Sequence, residues 1–225
     1  QRDELFYLIC GLYNDDSQHF QLNCRPILEK GLKGVYKDAA AALENTDNIA
    51  EKEFLSAVCN GLLCVKKISE KFADTADKML KKFPNNANLK RISVSANRCP
   101  WEKPRSFYEA LNIYAFMRKL VGSLEGVGPN TFGRVDMDLY PFYESDIKSG
   151  KMTKQEAFEL ISQFLITFDC HYDHDMKMVG YADHELENTY VLGGCDSDGK
   201  PLFNELTELF LKANYAEKII FPKII

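Results

Sequence analysis

Long apolar runs are missing from this 225-residue sequence. A helix that crosses a bilayer needs roughly 18 or more consecutive apolar residues. Every apolar stretch here is broken sooner by a charge, a glycine or a proline. Residues 1–7 lack the basic start and apolar segment of a secretory leader, so a cytoplasmic protein with no membrane partner is expected. Positive charge is also scarce: 28 Lys and Arg face 33 Asp and Glu, a net charge of −5, and the cations are scattered along the predicted helices. Affinity for a phosphate backbone comes from clustered Lys and Arg, so nucleic acid is not an expected partner. Eight prolines and 13 glycines are too few for a disordered or fibrous chain. The seven cysteines are odd in number and form no Cys-x-x-Cys pair, which fits neither a disulfide framework nor a zinc ribbon. Reduced and mostly buried thiols are the expectation.

What the sequence has in quantity is helical periodicity. After Pro26, suited to a first helical position, Ile27, Leu28, Leu32, Val35 and Leu43 recur at three- and four-residue intervals, which predicts a helix to about Glu44. Asp47 or Asn48 can cap a second helix over residues 49–83, with Phe54, Val58, Leu62, Val65, Ile68, Phe72, Ala76, Met79 and Phe83 in one stripe. Pro84-Asn85-Asn86 ends it, and residues 89–97 form a short third helix. Pro100 and Pro104 predict an extended linker. Capping boxes at Ser106-x-x-Glu109 and Thr153-x-x-Glu156 open two more helices.

Strand signals are confined to the last forty residues: Thr189-Tyr190-Val191-Leu192, closed by Gly193-Gly194, and an apolar run over residues 219–225. An amphipathic helix over residues 203–214 separates them, so a parallel strand, helix, strand unit is expected. A buried strand at the last residue reads as a cut rather than an end.

Few motifs carry chemistry by themselves. Gly126-x-Gly128-x-x-x-x-Gly133 follows a helix, contains Pro129 and has the wrong spacing for a dinucleotide loop. Cys170-His171-Tyr172-Asp173-His174-Asp175, with Asp183 and His184, has metal-ligating atoms, but a polar loop after a helix gathers such residues for local hydrogen bonding; no metal is expected. Asp196-Ser197-Asp198-Gly199 lacks the Glu at the twelfth position of a calcium loop and is read as a turn.

Taken together, several segments resemble the glycyl radical enzymes, the pyruvate formate-lyase-like family, and its diol/glycerol dehydratase and lyase branch in particular. The most specific block is Gly133-Arg134-Val135-Asp136-Met137-Asp138-Leu139-Tyr140-Pro141-Phe142-Tyr143, where the branch reads Gly-Arg-x-Asp-Gln-x-x-Tyr-Pro-x-Tyr and Met137 replaces Gln. Pro104-Arg105-Ser106-Phe107-Tyr108-Glu109-Ala110-Leu111 is similar to the family's Pro-Arg-Thr-Phe-x-Glu-Ala-Leu. Asn188 through Gly194, Asp198-Gly199 and Asn204-Glu205-Leu206 resemble a barrel strand, its turn and the next helix. His19 stands where the family has its Gly-His segment, although Gln18, Leu22, Asn23 and Cys24 replace most of that motif.

The resemblance implies one α/β domain over residues 1–225, mainly helical to residue 125 and beginning a ten-stranded barrel from residue 126. It implies a lyase, dehydratase or acyltransferase of a small polar substrate, in which a glycyl radical installed by an S-adenosylmethionine-dependent iron-sulfur activase oxidises a cysteine to a thiyl. Neither the family's thiyl loop nor its Arg-Val-x-Gly radical loop is in these residues, so no catalytic residue and no cofactor is expected in this chain, and no activity from it alone. His19 and Thr131 are the residues carried over as substrate-binding, and Arg134 and Asp136 are expected to form a structural ion pair positioning the helix that follows. The activase and further copies of the chain are the implied partners. The competing expectation is a non-catalytic helical module that binds a protein or small ligand.

Overall fold

A computed structural model of the chain describes residues 20–125, 130–169, 189–220 and 222–225. In chain order the elements are β1 (Phe20–Gln21), α1 (Arg25–Asn45), α2 (Ile49–Lys82), α3 (Ala87–Ala96), α4 (Phe107–Glu125), β2 (Asn130–Thr131), α5 (Val135–Lys148), α6 (Lys154–Asp169), β3 (Thr189–Tyr190), α7 (Glu205–Glu217) and β4 (Lys223–Ile224). No helix among the described residues is long and apolar enough to cross a membrane. Two compact units result, one of Asn23–Phe116 with Pro141–Lys151, the other of Gln1–Leu22, Met117–Tyr140 and Met152–Ile225.

In the first of these units, α1 starts at Arg25 with Pro26 in its first turn, as the sequence predicts, but it is kinked at Gly31, where φ is +70°. The amides after the kink donate outside the helix, Leu32 N to Pro100 O at 3.0 Å and Lys33 N to Trp101 O at 2.9 Å. A Cβ at Gly31 would lie 2.5 Å from Trp101 O, so only glycine fits. The sequence reading of residues 99–104 as an extended linker is corrected here. The Cys99–Pro100 peptide is cis and residues 97–101 form a turn, whose carbonyls satisfy the kinked helix.

Asn48 caps α2, accepting from Ala50 N at 3.0 Å, and Asn86 caps α3, accepting from Leu89 N at 3.0 Å. Asp77 on α2 accepts hydrogen bonds from Ser93 and Asn97, which hold its carboxyl below the usual carboxylate range. At the start of α4 the expected capping box is half formed. Ser106 Oγ accepts from Glu109 N at 3.2 Å, but the Glu109 carboxylate accepts from Arg105 N at 2.7 Å and pairs with the Arg105 and Arg98 guanidiniums. Phe107, fully buried, packs edge-on against Tyr143 at 5.8 Å, and the buried Asp146 carboxylate accepts from Phe107 N at 2.8 Å.

The second unit contains all four strands found among the described residues, parallel and in the order β1-β2-β3-β4. The expected strand, helix, strand unit is present as β3, α7 and β4, although each strand is two residues long. β1 and β2 carry no strand pattern in the sequence, because a two-residue strand shows no alternation to read. Phe132, Phe164 and Phe168 form an edge-to-face cluster with centroids 4.9–5.3 Å apart. The rings of Tyr190 and Phe210 meet at 5.7 Å, tilted by 50°, and α6 packs against α7. Thr153 and Glu156 make the full reciprocal box that opens α6 (Thr153 N to Oε2, 2.7 Å; Glu156 N to Oγ1, 3.2 Å). Asn204 and Thr207 make another at α7.

Candidate functional site

In a parallel sheet the open crevice lies beyond the carboxyl ends of the strands, because the connections to the helices leave there. Thr131 ends β2 and pairs with Gln21 on one side and Thr189 on the other. Its Oγ1 accepts from Gly133 N at 3.1 Å, fixing the chain as it leaves the strand. Gly133 O then accepts from Val191 N at 2.9 Å, which ties the exit of β2 to the exit of β3.

Arg134 and Asp136 do not meet each other within ion-pair distance among the described residues; both reach Gly193. The Arg134 guanidinium donates to Gly193 O, and Asp136 Oδ2 accepts from Gly193 N at 2.8 Å. One residue is thus gripped by both of its backbone polar groups. Gly193 and Gly194 have φ of +67° and +89°, so the turn needs glycine for its conformation.

Asp136 is fully buried, and its Oδ2 also accepts from Thr207 Oγ1 at 2.6 Å. Asn204 Nδ2 donates to Asp136 O and to Met137 Sδ, both at 3.3 Å. The start of α5, the β3 exit and the cap of α7 therefore converge on one carboxylate. Asp136 Oδ1 and Arg134 Nε are buried without a hydrogen-bond partner among the described residues. Nearby, Tyr190 is 1% exposed; burial raises its phenol pKa, and Asn214 Nδ2 donates to its oxygen at 3.2 Å.

This arrangement can orient and rigidify a loop. His19 and the Cys170 to His184 stretch lie outside the described residues. Among those described, no group of three His, Cys, Asp or Glu is placed to hold a metal ion. Asp196 Oδ1 accepts from the Asp198 and Lys200 amides at 2.9 Å, the bonding of a turn. Cys195, after Gly194, is exposed, whereas Cys24, Cys59 and Cys99 are buried. Thr207, Asn204 and Gly193 were not singled out as site residues in the sequence. The available signal was the run Asn204-x-x-Thr207, a cap whose second residue has a hydroxyl to spare.

The sequence profile of the Pyruvate formate lyase-like family matches residues 11–224. The chain belongs to this family. Among its relatives in the pyruvate formate lyase-like family, (2S)-3-sulfopropanediol dehydratase of Klebsiella oxytoca is 24% identical over 220 residues, covering 91% of this chain and 26% of the relative. Isethionate sulfite-lyase of Nitratidesulfovibrio vulgaris is 26% identical over 214 residues, 88% of this chain and 26% of the relative. The chain thus spans about a quarter of the length of these curated relatives. A structure described as 1,2-propanediol dehydration in Roseburia inulinivorans superposes with a TM-score of 0.81 at 23% identity, over 92% of this chain and 26% of that one. The glycerol-bound B12-independent glycerol dehydratase of Clostridium butyricum gives 0.81 at 22% identity, over 94% and 28%. A third structure with this fold, described as a glycyl radical enzyme from Archaeoglobus fulgidus, gives a TM-score of 0.77 at 20% identity, over 92% of this chain and 28% of that one.

Proposed function

We propose that this chain is a portion of a glycyl radical dehydratase or lyase acting on a small polar substrate, and that it forms part of the enzyme's ten-stranded α/β barrel. The observation that carries the reading is the set of four parallel strands in chain order, lying in a fold that matches about a quarter of such enzymes at a TM-score of 0.81. Within it, Arg134 and Asp136 set the Gly193-Gly194 turn at the carboxyl ends of β2 and β3, where a substrate would sit. Thr131 and His19 are the proposed contacts to a substrate hydroxyl or acid group. Thr131 is placed at that end, its oxygen accepting from Gly133 N while its own proton stays available to donate.

The chain alone is proposed to be inactive. A carbon- or sulfur-centred radical persists only where water is kept out. The sole Gly-Cys pair of the sequence, Gly194-Cys195, puts its thiol on the surface. The radical itself would be installed on a glycine by an S-adenosylmethionine-dependent iron-sulfur activase, a separate protein.

Electron paramagnetic resonance after anaerobic incubation with activase and S-adenosylmethionine tests this. A glycyl doublet is expected from the natural polypeptide containing these residues, with dehydration or cleavage of a small diol or sulfonate, and no doublet from the 225-residue chain. A polypeptide that acquires no radical removes the proposal. A second reading, a non-catalytic module, draws support from the exposure of Ile220 (69%) and Ile225 (69%) beside β4, and would be favoured by that result.

A further inference from the structure

Thr131, Thr189 and Lys223 stand at one level of the parallel sheet. Thr131 on β2 is in register with Thr189 on β3, and Thr189 with Lys223 on β4. Residues in register on neighbouring strands send their side chains to the same face, and the next residue along each strand sends its own to the other. The packing identifies the two faces. Phe132, next after Thr131, lies against Phe164 and Phe168 of α6. Tyr190, next after Thr189, lies against Phe210 of α7 and accepts a hydrogen bond from Asn214 on the same helix. Both rings are buried, whereas Thr131, Thr189 and Lys223 are each partly exposed. The three polar side chains therefore share the face turned away from α6 and α7.

Threonine is a common strand residue and needs no further reason. A lysine in register with two of them is different, because strands disfavour it and its ammonium must keep water or meet an anion. Lys223 is the one charged residue on β2, β3 and β4. With strands about 4.8 Å apart, the row from Thr131 to Lys223 crosses about 10 Å, the scale of a small molecule with two polar ends. Each group offers something definite to such a molecule. Thr131 Oγ1 accepts from Gly133 N, which leaves its proton to donate. The Thr189 hydroxyl donates and accepts. Lys223 brings three donors and a full positive charge on a flexible four-carbon stem.

We propose that Thr189 and Lys223 extend the substrate site at Thr131 and make it select a small hydroxylated acid. Its hydroxyl lies on the two threonines and its carboxylate or sulfonate on Lys223. This inference rests on the dehydratase or lyase reading of the same site and narrows its substrate class. An acid gains a charge-assisted hydrogen bond at Lys223, roughly twice as strong as a neutral one. A neutral diol brings the ammonium no opposite charge and gains only the bonds to the hydroxyls.

Calorimetric titration of the natural polypeptide containing these residues, before activation, reads the result. The probes are 2-hydroxyethanesulfonate, 2-hydroxypropanoate and 1,2-propanediol. At least one of the two acids is expected to bind about tenfold or more tighter than the diol, and the tighter of the two names the anionic group. Lys223→Met keeps the length of the stem and removes the charge; it is expected to lower the acid-to-diol preference about tenfold or more, while Lys223→Arg keeps most of it. Thr189→Val should weaken acid and diol alike severalfold, and Thr189→Ser should restore both. Far-UV circular dichroism of each variant controls for folding. After activation, the loss in Lys223→Met should appear as a raised KM for the acid more than a lowered kcat. A polypeptide that binds neither acid, or binds the diol as tightly, overturns the inference, and so does a Lys223→Met variant with its preference intact. Acid preference in a polypeptide that acquires no radical would instead uphold the row of side chains and remove the radical reading on which its role in turnover rests.

Discussion

The Thr207 hydroxyl donates to Asp136 Oδ2 at 2.6 Å, and that same oxygen accepts from Gly193 N at 2.8 Å. Both donors are supplied by elements far from Asp136 in sequence, and the carboxylate they share is fully buried. Asp136→Ala would leave the Gly193 amide and the Thr207 hydroxyl without an acceptor inside the protein. At about 1–3 kcal/mol for each stranded group, a loss of about 3 kcal/mol or more of unfolding free energy is expected. Thr207→Val should cost about 1–2 kcal/mol, and the double variant less than the two together, since they act through one oxygen. Urea unfolding of the three variants measures all of this.

The helices of this chain were legible because their signals are local. Asn48 and Asn86 are caps, the apolar stripe of α2 runs from cap to stop, and Thr153-x-x-Glu156 makes both bonds of its box. Ser106-x-x-Glu109 made only one, because Arg105 and Arg98 draw the Glu109 carboxylate away, a tertiary demand no local pattern announces. The kink at Gly31 and the turn at Pro100 explain each other across seventy residues, so neither was readable alone. The site shows the same division. The block around Arg134 and Asp136 stood out, but that its two charged groups would meet at Gly193 rather than at each other depends on β3 lying next to β2. Strands of two residues give no period by which to foresee that.

Gly31 and Gly61 both lie within helices and should respond oppositely to alanine. At Gly31 the new Cβ would be 2.5 Å from Trp101 O, 2.7 Å from Glu102 C and 2.8 Å from Lys103 N, all backbone atoms that cannot swing aside, and φ is +70°. Gly31→Ala is expected to lose about 2 kcal/mol or more. At Gly61 a Cβ meets nothing within 4 Å, so Gly61→Ala should gain about 0.5–1 kcal/mol from helix propensity. Thermal melts separate the two.

Cys99 should be nearly inert. Burial, reinforced by the neighbouring Glu109 carboxylate, pushes its thiol pKa up from the ordinary 9.0 to about 12. Iodoacetamide at pH 8.5 is expected to label the exposed Cys64 and Cys195 while leaving Cys99 unmodified in the native chain, as peptide mass spectrometry would show. The same shift makes a pH prediction. Between about pH 9 and 12 the unfolded chain has released the Cys99 proton and the folded chain still holds it, so the unfolded state binds fewer protons and stability falls as pH rises. Cys99→Ser should flatten that part of the stability profile. Equal loss of stability in both chains across this range would show that Cys99 does not contribute.

Phe132 touches two partners that are themselves in contact, Phe164 at 5.3 Å and Phe168 at 4.9 Å, with those two 5.0 Å apart. All three are buried, at 3%, 6% and 5% exposure, and all meet edge to face, the geometry that sets the positive ring edge against a negative face. Phe132 directly precedes the Gly133-Arg134 exit of β2, so this cluster anchors the segment that presents the Gly193 grip. Phe132→Ala is expected to cost about 3–5 kcal/mol, the usual range for emptying a buried aromatic site. A double-mutant cycle with Phe168→Ala should return a coupling of about 0.5–1.5 kcal/mol beyond the lost burial. Phe203, 63% exposed, is the internal control, and its replacement by Ala should change stability by no more than about 0.5 kcal/mol. Were Phe132→Ala as mild as Phe203→Ala, the cluster would not be what holds β2 in place.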